Sequence, residues 1–286
     1  VTTVQTGPAA ATSATTTAAA PGRGLLWRGV KGVGGTVLSI GVVLVAWVAF
    51  LELNDVPEFF GKGPADVWRY LFSEQEAGAN RSAILQESRV TLRDAWLGLA
   101  VGTTAGVLVA MAFSMARAIE RTVMPIALVL PSVPIVAIMP IIVLSVGRDL
   151  MAVVVITAIV TFFPTLVQVS LALKSTPHES LDLLRAYGAS PLATLRKVQV
   201  PSALPALFAS LRVAAPLAFI GALLAEWLAT GEGIGYTMLT SGALSDYDGL
   251  WARVMVVTIY SILLYKLIVV LERSVARRFG AVAPSR

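Results

Sequence analysis

Residues 150–172 read LMAVVVITAIVTFFPTLVQVSLA, without one charged side chain, and residues 173–201 then read LKSTPHESLDLLRAYGASPLATLRKVQVP, dense in charge and turn residues. About 20 apolar residues in a helix cover the hydrocarbon core of a bilayer, so the first stretch is a membrane span and the second is a loop outside it. Five further apolar stretches stand at about 37–53, 92–114, 122–146, 203–228 and 251–271. The fold class that follows is an all-α membrane protein with six transmembrane helices. Its largest punctuated loop lies between spans four and five.

Composition agrees. The chain of 286 residues is 56% hydrophobic and 14% charged, with a mean hydropathy of +0.79. Soluble domains carry roughly 25% charged residues, so this chain is a bilayer protein. It has no cysteine, which excludes disulfides, thiolate metal sites and a cysteine nucleophile. The one histidine is His178. The formal charge of +5 sits beside apolar segments, a pattern of membrane orientation and not of a nucleic-acid surface.

Residues 1–22 are mostly Ala, Thr and Pro and read as a disordered tail. Residues 23–36 read as an interfacial elbow with a short helix over Leu25–Lys31, followed by an uncleaved first span, because no small-x-small cleavage site follows it. The transmembrane domain is predicted over 37–275, containing the loop 176–201, with a C-terminal tail over 276–286. Arg23, Arg28 and Lys31 lie at one end of the chain and Arg273, Arg277, Arg278 and Arg286 at the other. Arg117 and Arg121 follow span two; Lys174, Arg185, Arg196 and Lys197 follow span four. The positive-inside rule places all four regions, and hence both termini, in the cytoplasm. The opposite loops are rich in Glu and Asp, although Lys62, Arg69, Arg81, Arg89 and Arg93 dilute the asymmetry of the first.

Two spans carry internal patterns. Gly98, Gly102, Gly106 and Ala110 recur every four residues, a stripe that lets helix backbones approach closely and reads as packing. Pro125, Pro131, Pro134 and Pro140 fall in the third span. Each removes a backbone donor, which a membrane tolerates where protein or a water-filled cavity satisfies the freed carbonyls. That favours a helix beside the translocation path, with a structural kink as the alternative. Among the sparse polar residues of the spans, Gln168 is the best candidate to line such a path, with Pro131, Pro134, Pro140 and Glu226. Hydroxyls such as Thr258 back-bond to their own helix.

The loop reads as two punctuated helices. Thr176 is the expected N-cap, Pro177 suits the first helical position, and Glu179 completes a capping box. Gly188 suits the left-handed position that ends a helix. Ser190 and Pro191 repeat the start for a second helix running to Pro201. Leu181, Leu184 and Leu195 are expected under the membrane domain, with Glu179, Asp182, Arg185, Arg196 and Lys197 facing water or a partner. A rigid capped helix of this kind is a suitable lever, and an ordinary amphipathic connector would share its spacing.

Asp182-Leu183-Leu184, three residues, Gly188, nine residues and Val198-Gln199-Val200-Pro201 resembles the EAA loop of ATP-binding-cassette importer permeases. The spacing, the glycine and the proline match Glu-Ala-Ala, three residues, Gly, nine residues, Ile-x-Leu-Pro; Asp replaces Glu, and leucines replace the alanines. Pro131-Ser132-Val133-Pro134, Phe162-Phe163-Pro164, Ala225-Glu226-Trp227 and Gly233-Ile234-Gly235-Tyr236 are similar to the nitrate, sulfonate and taurine subgroup. Lys266 stands where many of those relatives have an acid. The resemblance implies a dimer of permeases, two ATPase subunits that hold the ATP and Mg, and an extracytoplasmic substrate-binding protein, in a bacterial plasma membrane. It also implies that residues 179–190 form the coupling helix docked on the ATPase. Glu179, Asp182, Leu184, Arg185, Ala186, Tyr187, Gly188 and Ser190 are then its contact positions. The implied substrate is a small anion or zwitterion, with pyrimidine-type vitamin precursors and aromatic acids as the alternative.

No phosphate-cradling G-x-x-x-x-G-K-[ST] stretch exists, so ATP is not hydrolysed through such a loop here. Gly231-Glu232-Gly233-Ile234-Gly235 reads as a turn. A secondary transporter would show repeated halves or mid-depth acids, and an intramembrane enzyme a nucleophile–base pair or metal cluster. The sequence displays none of these.

Overall fold

The computed structural model describes the backbone over residues 23–279 and side chains over 38–276. The tail predicted at 1–22 lies outside the described residues, as does most of that predicted at 276–286. All regular structure among the described residues is helical. In chain order the helices are α1 (Arg23–Leu53), α2 (Pro64–Trp68), α3 (Ala77–Met115), α4 (Arg117–Val129), α5 (Ile135–Val146) and α6 (Leu150–Lys174). They continue with α7 (His178–Ala186), α8 (Pro191–Thr194), α9 (Val200–Ala225), α10 (Gly233–Ala243) and α11 (Tyr247–Phe279). Among the described residues, four continuous helices are long and apolar enough to cross a membrane: α3, α6, the 191–230 helix containing α8 and α9, and α11. The bent pair α4–α5 makes five if it is taken as one span.

The α1 helix forms a unit of its own with the chain up to Val56. Its backbone is one helix, without a break between the elbow and the span expected at 37, and its apolar part is Leu38–Leu53.

Close backbone approach builds the rest of the bundle, with α6 at the centre. A Cβ on Gly98 would lie 2.2 Å from the Thr157 side chain, and one on Gly102 would lie 2.5 Å from the Ala158 carbonyl oxygen. From the other side, a Cβ on Gly221 of α9 would lie 2.9 Å from Thr157 Cα. Thr157 is therefore held between glycines of α3 and α9, and the predicted small-residue stripe is a packing device. Ala214, Ala215, Ala218, Ala222 and Ala225 extend the same close-packed face along α9, all fully buried. Thr161 sits in this seam and donates to the Gly98 carbonyl at 3.3 Å and to Thr157 O at 3.0 Å. Large apolar side chains such as Leu144 and Leu263 point outward, as lipid-facing surfaces require.

The span predicted at 122–146 is not one straight helix. Its two parts, α4 and α5, are bent by 103° around a single tight turn at Leu130–Ser132. Val133 is extended because a proline follows it, and Pro134 is extended too, so two successive residues leave the helix. Pro125 and Pro140 sit inside α4 and α5 without breaking them. Likewise, the second loop helix does not stop at Pro201. A wider π-turn over Leu195–Gln199 accommodates the proline ring, and the helix continues into the fifth predicted span. Span two starts earlier than expected, since α3 begins at Ala77.

Candidate functional site

The helix α7 is short and locally specified. It ends in a Schellman motif: Gly188, at φ +71°, donates to the Arg185 carbonyl at 2.9 Å, and Ala189 donates to the Leu184 carbonyl at 2.9 Å. Ser190 then caps α8, its Oγ accepting from the Ala193 N–H at 3.2 Å. The start of α7 differs from expectation. Pro177 occupies the cap position, and no capping box forms. Buried Thr176 instead donates to the Leu173 carbonyl at 3.1 Å, closing the end of α6 behind it.

One face of α7 is anchored and the other is free. Leu181 is buried, Leu195 lies beneath the loop, and Leu184 is half-buried. Glu179, Asp182, Leu183, Arg185, Ala186 and Tyr187 are exposed, with Tyr187 82% accessible. Asp182 and Arg185 pair across this face at 3.0 Å. Exposed pairs of this type add well under about 1 kcal/mol, so the face is set by shape rather than by this bridge. Beneath the anchored face, Lys174 pairs with buried Glu120 at 2.7 Å. Gln199 bridges helices by accepting from Ser114 Oγ at 3.2 Å and donating to the Leu173 carbonyl at 3.3 Å. From the sequence, Lys174 reads only as a marker of orientation and Glu120 is not singled out, since the two lie 54 residues apart and meet only through the packing of α4 on α6.

A cavity of about 690 Å³ opens where the α4–α5 bend faces α6. Pro131, Pro134, Phe163, Pro164 and Leu217 help line it, and among the described residues Gln168 is the sole polar side chain on its wall. Among the described residues the Gln168 amide has no hydrogen-bond partner, although the residue is half-buried. Three of the residues expected on a path therefore meet here: Pro131, Pro134 and Gln168. Pro140 is exposed on α5 and Glu226 lies elsewhere.

Glu226 belongs to a buried lock at the opposite end of the bundle from α7. It is fully buried, and its Oε2 accepts from Thr91 Oγ1 at 3.0 Å and from the Gly235 N–H at 2.8 Å. Thr91 Oγ1 accepts in turn from the Ile234 N–H at 2.9 Å. The Glu226 side chain thus holds the N-terminus of α10 by accepting from one of its orphan N–H groups. Gly233, at φ +82°, is required here because a Cβ would lie 2.4 Å from the Glu226 carboxyl carbon. The glycine-rich stretch predicted as a turn is this turn and helix start. Nearby, Arg253 makes a bidentate bridge to Glu87 at 2.8 and 2.9 Å, tying α11 to α3.

The family model for a binding-protein-dependent transport system inner membrane component matches residues 102–281, including the whole of α7 and its flanking helices. The chain belongs to that family. It is accordingly a multi-pass inner-membrane permease subunit of an ATP-binding-cassette importer, and not an enzyme. A probable ABC transporter permease protein of Haemophilus influenzae is 32% identical over 229 residues, 80% of this chain and 91% of that one. The formylaminopyrimidine transport permease protein ThiX of Halalkalibacterium halodurans is 34% identical over 176 residues, 62% of this chain and 70% of that one. The taurine transport system permease protein TauC of Escherichia coli is 24% identical over 231 residues, 79% and 84% of the two chains. In fold, the permease resembles a chain of the MetNI methionine ABC transporter, with a TM-score of 0.57 at 20% identity, over 71% of this chain and 99% of that one.

Proposed function

We propose that two copies of this permease form a translocation path driven by two ATPase subunits, and that α7 is the coupling helix seated on each ATPase. Both termini and α7 are then cytoplasmic, and an extracytoplasmic binding protein delivers the solute at the α10 end. The observation that carries this reading is the split character of α7. Leu181 roots it in the bundle while Glu179, Asp182, Arg185, Ala186 and Tyr187 stand free, the Gly188 turn closes its C-terminal end, and Ser190 starts the next helix. ATP and Mg are assigned to the partner ATPase.

The solute that fits best is a planar, uncharged heteroaromatic of the pyrimidine vitamin-precursor type. An apolar wall with Phe163 and two or more prolines suits a flat ring, and one unengaged amide at Gln168 suits its polar edge. No cationic side chain lines that wall, which disfavours a small anion. The formylaminopyrimidine relative supports the same choice. The likeness to a taurine permease supports the second reading, a sulfonate or other small zwitterion.

Uptake by cells expressing the permease with its ATPase and binding protein tests both. The expected result is saturable uptake of labelled formylaminopyrimidine that excess taurine does not inhibit. Replacing Gln168 by Ala should lower that uptake more than replacing Thr258, which only back-bonds to the Val254 carbonyl at 2.8 Å. Equal, negligible effects of the two substitutions would remove Gln168 from the path.

A further inference from the structure

A second cavity, of about 280 Å³, lies under the anchored face of α7, where the end of α3, α4, α6 and the turn before α9 meet. Arg117, Arg121, Lys174 and His178 face it, together with Ser114 and Glu120. Lys174 is committed to Glu120 at 2.7 Å, which neutralises that buried carboxylate. Neither Arg117 nor Arg121 has an ion-pair or side-chain hydrogen-bond partner among the described residues. Two unspent guanidinium groups thus border a polar pocket at the end of the membrane-spanning helices. The first turn of α4 adds the positive end of a helix of 13 residues, with no side-chain cap at its start. The flank of α4 turned away from the pocket is apolar, with Ile119, Val123 and Ile126 exposed there.

We infer that this pocket binds the phosphate headgroup of an anionic glycerophospholipid, with Arg117 and Arg121 as its ligands. Guanidinium groups suit phosphate because their paired N–H donors match its oxygens. Basic pockets between helix ends on the cytoplasmic side are suited to lipid headgroups, and these two guanidinium groups stand at the ends of membrane-spanning helices. The pocket also contains Leu181 and His178 of α7, so a bound headgroup supports the root of that helix. Lipid binding stands on the pocket alone; any consequence for ATPase coupling rests on the function proposed above.

The test uses the complete transporter in nanodiscs. Binding of a spin-labelled phosphatidylglycerol, read by electron paramagnetic resonance of the immobilised fraction, is compared in discs of phosphatidylcholine with and without unlabelled competitors. The Arg117→Gln/Arg121→Gln double variant should weaken phosphatidylglycerol binding by about thirtyfold. Arg196→Gln/Lys197→Gln, on the exposed second loop helix, should leave it unchanged. Equal binding by the wild type and the Arg117/Arg121 variant overturns the site. Millimolar inorganic phosphate displacing the label as well as unlabelled phosphatidylglycerol does overturns the lipid assignment. Lipid binding that persists while ATPase activity ignores lipid composition would strike the coupling consequence and not the site.

Discussion

The two ends of the bundle hold their short helices in opposite ways. At one end, α7 is rooted by Leu181 and closed by bonds between residues three to five apart. At the other, α10 is held by Glu226 and Thr91, which are 135 residues apart in sequence and both fully buried. The first arrangement leaves a helix free to be moved by a partner. The second fixes a helix to the core, since each bond it loses strands another buried polar group. Under the coupling proposed above, this asymmetry supplies a handle at α7 and a firm seam behind it. Both ends are joined by the α3–α6–α9 seam, whose glycines and threonines leave no slack.

Substitutions that trespass on the seam should have the largest effect. Gly102→Val places a side chain where even a Cβ lies 2.5 Å from the Ala158 carbonyl oxygen. It should cost more than about 4 kcal/mol and abolish a monodisperse protein in detergent. A well-folded variant with an unshifted melting profile would break the claim that the seam is rigid.

Glu226→Ala should come next, costing about 2–4 kcal/mol by thermal unfolding, because it strands the Gly235 N–H, removes the nearer acceptor of the Thr91 hydroxyl and leaves a cavity in the core. Its effect on uptake should follow its loss of folded protein. If a stable Glu226→Ala variant instead loses uptake, Glu226 acts on the path and the contrast between the ends must be redrawn.

Gly188→Val should be milder in stability and sharper in function. A β-branched residue in the left-handed region costs roughly 1–2 kcal/mol, confined to the turn after α7. Uptake should fall by about tenfold, the rate equivalent of that strain, while the melting profile of the core stays put. Wild-type uptake by a well-expressed variant would remove the loop from the coupling account.

The same contrast explains what the sequence discloses. Gly188, Ser190 and Pro191 act within a few residues of themselves, so their spacing reveals the turn and second cap they make. The stripe of Gly98, Gly102 and Gly106 likewise announces a close-packed face by its period. The Thr176 cap was misassigned because a hydroxyl between two helices can bond in either direction. Only the end of α6 shows that it turns back to Leu173. Pro131 and Pro134 disclose a kink but not its 103° angle, which depends on the helices packed around it. The role of Glu226 and the pairing of Glu120 with Lys174 are illegible locally, since their partners arrive from other helices.

The central claim, that α7 meets the ATPase, has a direct test because the natural chain has no cysteine. A benzophenone attached to a single Tyr187→Cys variant in the assembled transporter reads which subunit lies against α7 on irradiation. The account predicts a permease–ATPase adduct whose yield changes with ATP, and none from the same probe at Tyr236→Cys on α10. An intact complex giving no more adduct from position 187 than from position 236 would contradict it.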